Sequence, residues 1–184
     1  LPRLPRRGVG GLMAVSTEGR IPFENASLLA RQLGAVERLI HRLEQARDHL
    51  MALFPLEVDT FDPEELPPET AFGIDAFRVR FGDLQDLLGR AVFRSLARAD
   101  EDELPGDELT TRERIALMEK RGLLDADQWR AIREVRNTFA HEYPDDDAEK
   151  AAHLNAAWEL TATLLEVGRR CVTYAREEHG VMPE

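Results

Sequence analysis

From Asn25 onward the apolar residues Leu29, Leu33, Val36, Ile40, Leu43 and Leu50 recur at steps of three, four and seven. That is the period of one face of an α-helix, and it predicts a long helix ending before Pro55. The period returns in Phe77, Phe81, Leu84, Leu88 and Val92, within a helix over about 70–99. It returns again in Trp129, Ile132, Val135 and Phe139, and in Leu154, Trp158, Leu164, Leu165, Val172 and Tyr174 of a last helix reaching toward Glu178. No segment sustains the alternation of a strand. Apolar stripes of this kind are buried only by packing helix on helix, so the predicted fold class is all-α, an antiparallel bundle of five main helices.

The residues between the stripes predict where the helices stop. Pro63, Pro67 and Pro68 stand with Glu57, Asp59, Asp62, Glu64 and Glu65 in an acidic linker. Residues 100–108 read Asp-Glu-Asp-Glu-Leu-Pro-Gly-Asp-Glu, whose like charges and Pro-Gly pair predict a solvated, mobile loop. Thr110 or Thr111 caps a short helix with Ile115, Leu117 and Met118 that stops at Gly122. Asp125 starts the next, with Gln128 in the capping-box place. Pro144 disfavours helical geometry at Tyr143, so this helix ends near His141, and Asp145 or Asp146 caps the last one. Residues 1–20 carry Arg3, Arg6, Arg7 and Arg20 among Pro and Gly, without the apolar run of a signal peptide, and read as a flexible basic arm; Met13 is an alternative start. Residues 21–184 then read as a single domain, since 184 residues are one domain's worth.

Composition excludes several classes of function. A single cysteine, Cys171, rules out an internal disulfide framework and a multi-cysteine zinc site, and suits a reducing, cytoplasmic setting. It shares helical spacing with Val167 and Tyr174, which reads as a core thiol rather than a nucleophile. No apolar run approaches a membrane span. The net charge of −11 argues against a general nucleic-acid coat protein, because phosphate binding draws on clustered Lys and Arg. There is no phosphate-cradling glycine loop, no G-x-S-x-G and no His-Glu-x-x-His, and His41, His49, His153 and His179 form no i, i+4 pair. Neither a metal nor a cofactor is expected.

The informative stretch is Arg136-Asn137-Thr138-Phe139-Ala140-His141-Glu142-Tyr143-Pro144. Five helical steps put Arg136 and His141 about 140° apart, so the two do not converge on one intact helix. With the helix ending at His141, its imidazole can turn toward the groove that Arg136 flanks, and a second copy of the chain can complete the site. Such a set suits phosphodiester chemistry, in which a histidine near neutral pKa moves protons and a guanidinium clamps phosphate and offsets developing charge. Asn137, one turn before His141, can fix its tautomer or bond a phosphate oxygen. The spacing alone is also that of ordinary helix surface, since Arg42 and His49 form a comparable pair with no reason to be catalytic. Arg112, Arg114, Lys120, Arg121, Arg130, Arg133 and Arg136 add a slight basic excess before and along this helix, against a strongly acidic stretch over 54–109.

The full string Arg-Asn-x-x-x-His-x-Tyr, closing a helix and followed by Pro-Asp-Asp and another long helix, resembles the HepT branch of the HEPN superfamily. The resemblance covers roughly 70–174, including Arg80-Phe81-x-x-Leu84-Gln85-Asp86 and the Gly122-Leu-Leu turn before Trp129. It implies a HEPN-type bundle that forms a homodimer with Arg136 and His141 at the interface as a metal-independent ribonuclease site. Arg136 would contact phosphate, His141 would act as general acid and base on the 2′-hydroxyl and leaving oxygen, and Asn137 would support them. Tyr143 matches the tyrosine that, in this family, a nucleotidyltransferase antitoxin modifies with AMP. The implied partners are RNA and that antitoxin, with no DNA and no membrane. The competing reading is a non-catalytic helical module that partners a nucleotidyltransferase. Two features depart from the family pattern: the acidic loop is long, and residues 1–54 lie outside the resemblance.

Overall fold

The structure, a computed structural model, describes residues 23–141 and 146–184. Helix α1 (Phe23–Leu50) is followed by a 3-10 turn, Pro63–Glu65, whose first amide is capped by Asp62. Helix α2 (Pro68–Leu87) opens on a proline, which has no N–H to leave unpaired in the first turn. It passes without a break through a π-helical turn (Leu88–Val92) into α3 (Phe93–Ala99), the three together forming the single rod expected from the sequence. Helices α4 (Thr111–Lys120), α5 (Ala126–His141) and α6 (Asp147–His179) complete the fold. With the rod counted once, the described residues hold five main helices, and the chain is all-α.

The caps explain the boundaries. Thr110 Oγ1 accepts from the Glu113 amide at 3.2 Å while the Glu113 carboxylate accepts from the Thr110 amide at 2.8 Å, a reciprocal box that starts α4. Gly122, at φ 72°, takes the left-handed conformation that ends it. Asp125 accepts from the amides of Asp127 and Gln128 at 3.1 and 2.9 Å, and Asp146 from those of Ala148 and Glu149 at 2.8 and 3.3 Å.

The predicted stripes are the core. Leu29, Leu33, Val36, Leu43, Phe77, Phe81, Leu84, Leu88, Val92, Trp129 and Ile132 are all buried. Phe54 stacks on Trp158 with centroids 4.2 Å apart, and Phe93 packs on Trp129 at 4.9 Å. Helix α1, which lies outside the resemblance, is an integral helix of the bundle and packs on α2, α3 and α6. The residues after α6 return to α1: the Glu184 amide donates to the Ala30 carbonyl at 3.0 Å, and Gly34 leaves room where any Cβ would overlap the Glu184 carbonyl. Cys171 is fully buried, and burial pushes its thiol up to about 12, as suits a core residue. No helix among the described residues is long and apolar enough to cross a membrane.

Residues 100–108 depart from expectation, because they are not solvated throughout. Two of their carboxylates turn inward to arginines that lie far enough along the chain to be invisible as partners. Glu103, with no exposed side-chain surface, accepts from Arg114 Nε and Nη2 at 3.0 and 2.8 Å and lies 3.4 Å from Arg94 Nε. Asp100 accepts from the Tyr174 hydroxyl at 3.0 Å and lies 2.8 Å from both His179 Nε2 and Arg121 Nε.

Candidate anion-binding site between α2 and α5

Helices α2 and α5 run antiparallel, so the end of α5 lies beside the middle of α2. Phe139 fixes this crossing: its ring meets Phe81 edge-on at 6.1 Å, lies 5.2 Å from the Arg78 guanidinium, and its carbonyl accepts from Arg78 at 3.5 Å. One turn earlier the stem of Arg136 crosses α2 at Gly82, where a Cβ would sit 3.9 Å from it. Its guanidinium then reaches Asp86, with Nη2 2.5 Å from Oδ2. Arg90 Nη2 stands 3.8 Å from the same oxygen, so two guanidinium groups share one carboxylate.

Arg136 and Asp86 separate two recesses. One, about 310 Å³, is bounded by Arg78, Val79, Gly82 and Phe139. The other, about 330 Å³, lies among α2, the π turn, α3, α4 and α5, and its walls carry Gln85, Arg90, Arg94, Arg133 and Asn137 over a floor of Trp129. Its charge is unlike that of the whole chain. Among the described residues its lining carries Arg90, Arg94, Arg114, Arg133 and Arg136 against Asp86 alone; Arg94 and Arg114 also pair with Glu103, and Arg94 with Glu108, which still leaves a local excess of positive charge on a protein of net charge −11. Arg133 has no ion-pair partner among the described residues. Arginine forks over a partly enclosed recess suit phosphate oxygens, which they bind in pairs.

Of the residues picked out in the sequence, Arg136 and Asn137 both border this recess. His141 is the last residue of α5; its side chain and Tyr143 lie outside the described residues. The slight basic excess before α5 is partly consumed by structure, since Arg114 is buried on Glu103 and Arg121 pairs with Asp100 and Asp102. Sequence reasoning assigned no role to Asp86, Gln85 or Arg90. For Gln85 a signal existed: it follows Phe81 by four residues and precedes Leu88 by three, a polar residue within an apolar stripe. Among the described residues no group of three or more His, Cys, Asp or Glu could hold a metal ion. No family model, no curated protein and no solved structure matches the chain.

Proposed function

We propose that the chain is a HepT-like ribonuclease toxin of the HEPN type, working in the cytoplasm as a homodimer and held in check by a nucleotidyltransferase antitoxin. The observation that carries this reading is the arginine-rich recess at Arg136 and Asn137, set on the helix whose last residue is His141. In this reading His141 takes the proton from a ribose 2′-hydroxyl. The freed oxygen attacks the adjacent phosphorus and forms the P–O2′ bond. The P–O5′ bond breaks, a histidine returns a proton to the leaving oxygen, and a cyclic phosphate remains. Arg136 binds the non-bridging oxygens and offsets their charge. No metal is required for these steps. A second copy supplies the convergence that about 140° of separation denies a single helix. Supporting this, Phe72 and Val79, seven residues apart on one face of α2, are 72 % and 53 % exposed, and Val79 borders the recess beside Arg136. Tyr143 is the proposed AMP acceptor, and the added phosphate would compete with RNA for Arg136.

The non-catalytic reading has one observation in its favour, namely that Arg136 is already paired with Asp86 and only 19 % exposed. Growth on induced expression separates the two. Arrest by the wild type that is lost in His141→Ala supports the ribonuclease; unimpaired growth, or arrest that survives His141→Ala, supports the interaction module.

A further inference from the structure

Gln85 is 6 % exposed, yet it lines the arginine-rich recess, and among the described residues its carboxamide has no hydrogen-bond partner. Neither of its amide atoms is sealed away from open space, so the carboxamide faces the recess with its donors and acceptor available to a ligand. Its neighbours are built around a space. Gly89 lies one turn further on, and a Cβ there would stand 3.3 Å from both Gln85 Nε2 and Trp129 Cζ2. Gly89 and Arg90 belong to the π-helical turn, a costly irregularity that recurs at functional sites. On the rim, Arg133 has no ion-pair partner among the described residues, while Arg90 has only a share of Asp86. At about 330 Å³ the recess falls within the ~300–1,000 Å³ range of small-ligand sites.

A flat group with donors and acceptors on its edge, attached to an anion, meets all of these features. We propose that this recess holds one nucleotide of a single-stranded RNA, its base read by Gln85 against the edge of Trp129 and its phosphate held by Arg90 and Arg133. Single-stranded RNA is recognised in this way, through base edges and aromatic side chains. The identity of the strand rests on the ribonuclease reading of Arg136; the subsite itself rests on Gln85, Gly89 and the arginines. Its consequence is base preference next to the cleaved bond, because a carboxamide meeting a base edge discriminates by about 5- to 100-fold.

The test uses fluorescein-labelled 2′-O-methyl homopolymers of A, C, G and U, which bind but have no 2′-hydroxyl to react, measured by anisotropy with EDTA present. The wild type should prefer one base by about 5-fold or more. Gln85→Met should reduce that preference below about 2-fold without lowering the melting temperature, since it removes only an unpaired amide. Gly89→Ala sets a methyl group 3.3 Å from both Gln85 Nε2 and Trp129 Cζ2, which narrows the recess where the base would enter, and should blunt the same preference. Arg133→Ser should weaken binding to all four strands alike. Equal binding of the four strands by the wild type, a preference unchanged in Gln85→Met and Gly89→Ala, or competition by inorganic phosphate as effective as that by mononucleotides would overturn the proposal. The probes are uncleavable, so the two readings separate. Base preference without any cleavage of ordinary RNA sinks the ribonuclease and leaves the subsite, whereas cleavage without preference does the reverse.

Discussion

Neutralising Glu103 should cost the protein more than any other single charge change among its described residues. Its carboxylate has no exposed surface and takes two charge-assisted hydrogen bonds from Arg114, itself only 6 % exposed, with Arg94 3.4 Å and Arg98 3.8 Å away. In Glu103→Gln the amide oxygen can still accept from Arg114, but the N–H₂ group then faces Arg94 and Arg98, donor against donor. Removing one partner of a buried pair costs ~3–5 kcal/mol, and because shape is kept here the lower figure, about 3 kcal/mol, applies. Against a total stability of ~5–15 kcal/mol this is a large fraction. For a domain of this size it lowers the melting temperature by about 6–12 °C, at ~2–4 °C per kcal/mol. Urea unfolding followed by far-ultraviolet circular dichroism measures it, with the slope unchanged if only the native state is affected. The loss should persist at high salt, since a buried pair is poorly screened. Replacing both Glu103 and Arg114 with methionine should recover much of it, because the buried Arg114 charge goes with its partner while Arg94 and Arg98 keep Glu108. A loss below about 1 kcal/mol, or one that vanishes in salt, would show that residues 100–108 are solvated after all.

Three further outcomes follow from other parts of the structure. Burial, together with the Asp100 carboxylate that accepts its hydroxyl, pushes the Tyr174 phenol up to about 12, with Arg121 pulling the other way. The folded value lies above the unfolded value near 10, so the stabilisation from this proton is complete below pH 10 and is lost as pH rises through about 12. An ultraviolet titration of the two tyrosines should show a high step that disappears in Tyr174→Phe; two ordinary phenols would refute the Asp100 contact. Cys171 should resist a disulfide thiol reagent in the native protein and react at once in denaturant, and prompt native reaction would contradict its burial. Arg136→Lys keeps the charge but loses the fork, so RNA cleavage should fall at least tenfold while circular dichroism stays native; near-normal cleavage would mean that Arg136 supplies only diffuse charge.

The bundle was legible because its apolar stripes repeat at the helical period and its caps are strong local signals. Thr110 with Glu113, Asp125, Asp146 and Gly122 all act where the sequence suggested. Partnerships between distant residues were not legible. Residues 100–108 look like a solvated acidic run until α3 and α4 bring Arg94, Arg98 and Arg114 around Glu103. The π turn left no mark on the stripe, since Leu88 and Val92 keep their helical spacing across it. At the site, Arg136 and Asn137 could be found as a short motif, but Asp86 and Arg90, some 50 residues earlier, join them only through the crossing of α2 and α5. Gln85 was visible as a polar residue in an apolar row, and what it faces required the fold.

In the proposed reaction Arg136 and His141 cleave RNA without metal. The direct measurement incubates the purified chain with end-labelled single-stranded RNA in excess EDTA, beside Arg136→Lys and His141→Ala, and resolves the fragments on a gel. The expected result is wild-type fragments ending in a cyclic phosphate, sharply fewer from Arg136→Lys and none from His141→Ala. Intact RNA with the wild type, or cleavage that returns only with added magnesium, would contradict it.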